Sequence, residues 1–174
     1  MLASLTADTA LRGLQTALLG SAGTFMATDA LHGLATREIA LKLGFPKWFP
    51  SVVGVYELLI AAGNWTGHTA VTQPMLACVM GGAAYTHVIA EGKPSGAGGA
   101  VLFWIFSVVV AVKGESAAPL LPTLGLHASL AAVGWGMGVV LNGAKADAPM
   151  SPVKRSKLQG IPSHPAASGD KKAS

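Results

Sequence analysis

Apolar residues along this chain come in long unbroken runs, not at alternate positions, and short polar or proline-containing stretches separate them. Five runs, at 11–34, 50–66, 70–90, 97–113 and 120–142, approach the roughly 20 residues that an α-helix needs to cross a hydrocarbon core. The pattern predicts an all-α fold: a polytopic transmembrane helical bundle of about five spans over residues 1–145, with four spans as the alternative. The first run is the least apolar, since it contains Gln15, Thr24, Thr28, Asp29 and His32.

The stretch between the first two runs, ATREIALKLGFPKWFP, interleaves Arg37, Lys42 and Lys47 with Ile39, Leu41 and Leu43, followed by Trp48 and Phe49. Such a mixture suits a short segment lying at the membrane interface, with its aromatics at headgroup level. Pro50 fits the first turn of the following helix, where no donor is lost. With five spans this basic loop and the tail from Lys145 fall on one side, while the loop 67–69 opposite has only His68. The bias of lysine and arginine toward the cytosol then places both basic segments inside; four spans would put them on opposite faces.

Composition agrees with a membrane class. The 174 residues are 51% hydrophobic and 11% charged, with a mean hydropathy of +0.51, against about 25% charge in soluble domains. The net charge of +4 resides in the tail, where Lys145, Lys154, Arg155, Lys157, Lys171 and Lys172 oppose Asp147 and Asp170. That tail, 146–174, is rich in Pro, Ser, Gly and Lys and is expected to be disordered and cytosolic. Its charge suits an anionic leaflet surface; it has no aromatic residue to stack on bases, so nucleic acid is not an expected partner. In a eukaryote, Lys171 and Lys172 near the end would resemble a retrieval signal for the endoplasmic reticulum. Cys78 is the sole cysteine, so no internal disulfide is available. The N-terminus lacks the design of a cleaved signal peptide, and the first span is expected to direct insertion.

Within GVYELLIAAGN, residues 54–64, Glu57 is a carboxylate in otherwise apolar or small surroundings. At 1.5 Å of rise per residue, the five-span topology puts Glu57, Asp29, His32 and His87 together in the inner part of the membrane. Burying a charge there costs about 3 kcal/mol or more, so these groups should face protein or water. Met80, Ala83, Ala84, His87 and Glu91 form a stripe at helical spacing. Two readings stand side by side: polar residues that hydrogen-bond helices together, and an acid–base or substrate site with Glu57, His87, Asp29 and His32 as candidate catalytic residues. No HxxxH or HExxH spacing occurs and no histidine pair suits a buried haem, so neither metal nor cofactor is expected. Gly134 and Gly138, with Gly81, Ala84 and Ala77, offer small surfaces for helix packing. Asn64-Trp65-Thr66 matches a glycosylation acceptor.

The segments GVYELLIAAG and MGGAAYTH resemble the DoxX-like membrane protein family at Gly54, Glu57, Leu58 and Leu59, then Met80, Ala83 and His87. The likeness covers about 22–113. It departs in a fifth apolar run and in lacking the Gly-x-x-Lys often found in the family's first span. The resemblance implies roles ranging from quinone-linked oxidoreductase subunits to partners of membrane complexes and receptor-assembly factors. The expected function is an accessory, assembly or scaffold component of a membrane complex, in contact with the lipid bilayer and with other membrane proteins or copies of itself. The alternatives are a membrane oxidoreductase subunit using quinone, or a lipid-modifying membrane enzyme, with Glu57 and His87 as acid–base groups.

Overall fold

The computed structural model describes residues 7–32, 36–114 and 118–143, and every regular element among them is helical. They are α1 (Ala7–His32), α2 (Thr36–Leu43), α3 (Phe49–Trp65), α4 (Thr69–Tyr85), α5 (Gly98–Lys113) and α6 (Leu120–Asn142). A π-helical turn, Thr86–Ala90, prolongs α4, and a 3₁₀ turn, Pro94–Ala97, leads into α5. Helices therefore occupy all five apolar runs; α1 starts a turn earlier than the run at 11–34. The tail at 146–174, with Lys171 and Lys172, lies outside the described residues.

Close contacts give the order of packing. Gly20 faces Ala61 and Gly23 meets Gly54, so α1 and α3 run antiparallel. The turn at 66–68 reverses the chain into α4, with Gly67 at φ +85°, a left-handed conformation that favours glycine. Gly81 lies against Ala131 and Gly138 against Tyr85, so α6 runs parallel to α4. A Cβ on Gly81 or Gly134 would overlap the backbone carbonyl of Ala131 or Cys78 respectively. Only glycine permits that approach, which is the use expected of the small surfaces on these helices. Helix α4 consequently packs against α3, α5 and α6, while α1 packs chiefly on α3.

At the end where α1, α4 and α6 finish, Phe45 is buried and stacks on Phe49 with 4.7 Å between ring centroids. Phe45 also meets Tyr85 edge-on, and Tyr85 meets Trp135 in the same manner. Asn142 Nδ2 donates to the Tyr85 hydroxyl at 3.1 Å. Gly44, at φ +93°, turns α2 back onto this cluster.

Alongside an apolar core that includes Leu19, Ile60, Leu76 and Val110, the interior holds several polar side chains, and many large apolar ones face outward. Gln15, Glu57, Asn64, Thr72, Gln73, Ser107 and His127 are buried, while Leu18, Phe25, Val55, Leu59, Val71, Ile105, Leu126 and Val140 are exposed. Two helices are long and apolar enough to cross a membrane: 94–113, comprising the 3₁₀ turn and α5, and α6. Helices α3 and α4 have 17 residues each, at the lower limit for a span, and α1 carries Asp8, Arg12 and Asp29.

Candidate functional site

Glu57 lies midway along α3 and is 7% exposed. It faces α1, where its Cβ would lie 3.1 Å from a side-chain carbon placed on Gly23. Its Oε2 is buried and has no hydrogen-bond partner among the described residues. Among the described residues, then, nothing pairs with Glu57 Oε2 to make the expected hydrogen bond between helices.

His87 sits in the π turn, partly exposed, with Nδ1 3.0 Å from Glu91 Oε2 one turn further on. Its ring packs against Gly96 in the 3₁₀ turn. Asn64 Oδ1 accepts from both Thr72 and Gln73, so positions on α3 and α4 whose numbers sum to about 136 are level. Glu57 is level with Val79, and His87 lies eight residues beyond, about 12 Å at helical rise. The structure does not bring Glu57 and His87 together. Asp29 and His32 occupy the last turn of α1, but their side chains lie outside the described residues.

Polar groups do converge at the opposite end of the bundle, near the turn between α3 and α4. Gln15 of α1 and Gln73 of α4, both fully buried, exchange two amide hydrogen bonds, Gln15 Nε2 to Gln73 Oε1 at 3.3 Å and Gln73 Nε2 to Gln15 Oε1 at 3.1 Å. Asn64 Nδ2 donates to Gln15 Oε1 at 3.2 Å, and Asn64 Oδ1 accepts from Gln73 Nε2 at 2.8 Å. Arg12 Nη2 caps the network by donating to the Asn64 carbonyl at 2.9 Å, with Asp8 3.8 Å from Nη1. Three helices are thus joined by side chains that satisfy one another. With its amide buried and bonded, Asn64 is closed to glycosylation.

His127, 1% exposed, lies in the same third of the bundle, since α6 begins at Leu120. Its Nδ1 donates to the Thr123 carbonyl at 2.9 Å, while Nε2 has no partner among the described residues. Trp104 Nε1 donates to the His127 carbonyl at 3.2 Å, tying α5 to α6.

Two hollows accompany these groups. One, of about 390 Å³, lies between α4, α5 and α6 and is lined by Met80, Gly81, Ala84, Ala100, Trp104 and Ala131, among others. The other, about 750 Å³ and open, follows the outer face of α1 past Ala17, Gly20, Ser21, Thr24 and Leu58. Glu57, His87 and His127 line neither. The described residues contain no group of three or more His, Cys, Asp or Glu able to hold a metal ion. Comparison with protein-family models, with curated proteins and with solved structures returned no match.

Proposed function

We propose that this chain is a multi-pass membrane protein, with five spans and both basic segments cytosolic, that serves as an accessory, assembly or scaffold component of a membrane complex. The observation that carries this reading is the closed polar network of Gln15, Asn64, Thr72 and Gln73 inside a bundle whose outer surface is apolar. In a bilayer, where apolar burial gives no drive for helices to associate, such bonds and close glycine contacts hold helices together. A DoxX-like relationship belongs to the same proposal and rests on Gly54, Glu57, Leu58 and Leu59 with Met80, Ala83 and His87.

One observation favours the second reading, a subunit of a membrane oxidoreductase using quinone or a lipid-modifying enzyme. Glu57 Oε2 is buried without a donor among the described residues, and ionisable groups inside membranes are retained at a cost to stability when they serve a function. Purification in mild detergent, with identification of co-purifying proteins and lipids, separates the two. A stoichiometric membrane-protein partner supports the accessory role. A retained quinone in place of any partner overturns it.

A further inference from the structure

We propose that α2 and the turn after it form a preorganised binding surface for the headgroup of an anionic phospholipid, with Lys42 and Lys47 on the phosphate. The proposal rests on the reading that this end of the bundle lies at the cytosolic surface of a bilayer. Phe45 anchors the segment: it is 3% exposed, stacked on Phe49 and set edge-on to Tyr85. Ala40 is buried beside it. With these residues turned inward, the segment presents Ile39, Leu41 and Trp48 outward, each about half exposed. Lys42 and Lys47 are exposed on the same short stretch, and neither forms an ion pair among the described residues.

Apolar side chains beside unpaired cations are what an interfacial element needs: the first enter the acyl boundary and the second meet phosphate. Among the described side chains, no nearby carboxylate pairs with either lysine. Glu91 is engaged by His87, and Glu38, exposed on α2, leaves the two lysines in excess. Because Phe45 holds the backbone in place, little ordering is required when a lipid binds.

Native mass spectrometry of the full chain, with phosphatidylglycerol and phosphatidylcholine of identical acyl chains in competition, tests this. Two lysines near an anionic surface should favour phosphatidylglycerol by about thirtyfold. Lys42→Gln with Lys47→Gln should bring the ratio to within about threefold of unity, and Lys42→Arg with Lys47→Arg should restore it. Equal retention of both lipids by the native chain, or an unchanged preference in the Gln pair, overturns the inference. Extraction of the native chain from membranes by alkaline carbonate overturns the multi-pass reading as well, so failure of the surface and failure of the bundle give different results.

Discussion

Gln15 and Gln73, 58 positions apart in sequence, face each other through two amide hydrogen bonds in the interior of the bundle. Each is fully buried, and Asn64 bonds to both. Replacing Gln73 by Leu removes three side-chain bonds and strands amide groups of Gln15 and Asn64. Membrane side-chain bonds average about 0.6 kcal/mol, and the largest reach about 1.7, so Gln73→Leu should cost about 1–2 kcal/mol of stability in detergent. A double-mutant cycle with Gln15→Leu should return a coupling of about 1 kcal/mol. Additive effects of the two substitutions would show that the pair does not join α1 to α4.

A second prediction contrasts two glycines on one helix. A Cβ at Gly134 would overlap the Cys78 carbonyl, whereas at Gly136 it would meet nothing within 4 Å. Gly134→Ala must push α6 away from α4 and should cost about 1–3 kcal/mol. Gly136→Ala should be neutral or slightly stabilising, because alanine is the better helix former. Thermal unfolding of both variants, side by side, checks the α4–α6 contact.

Helix placement was legible because it depends on run length and on proline and glycine at the ends, all local properties. Pro119 immediately precedes α6, and Gly67 marks the turn after α3. The grouping of Glu57 with His87 was not legible, for two reasons. Depth measured from the inner ends assumes spans of equal length, yet α4 and its π turn together outrun α3, and the short turn at 66–68 sets their register from the other end. The direction in which a side chain leaves its helix is a tertiary property, and it sends Glu57 toward α1 and His87 toward Gly96. The Gln15–Asn64–Gln73 network was missed because it spans three helices. A hint existed: three amide side chains lie close to helix ends that a five-span topology puts at one face.

The topology itself is open to labelling. With Cys78 replaced, single cysteines in the loop 67–69 and in the tail beyond residue 146 should react with an impermeant thiol reagent from opposite sides of the membrane. The tail is expected on the cytosolic side, because the loop with Lys42 and Lys47 shares that side in a five-span chain. Reaction of both sites from the same side would require an even number of spans between them and would overturn the arrangement.

Glu57 supplies the sharpest test of what the bundle is for. Its carboxyl is buried against α1 and meets no donor among the described residues, so it contributes no hydrogen bond that a substitution would lose. An unpartnered polar group in apolar surroundings costs about 1–3 kcal/mol by mutational measure. Glu57→Leu, close in volume, should therefore raise detergent stability by about 1 kcal/mol, and Glu57→Gln, which keeps the shape and a polar end, should change it little. In the accessory reading both variants still assemble with their partner and complement a deletion strain. In the acid–base reading the Gln variant folds normally and loses activity, because an amide cannot exchange a proton near neutral pH. A fall in stability for the Leu variant would instead mean that Glu57 is bonded to a group outside the described residues.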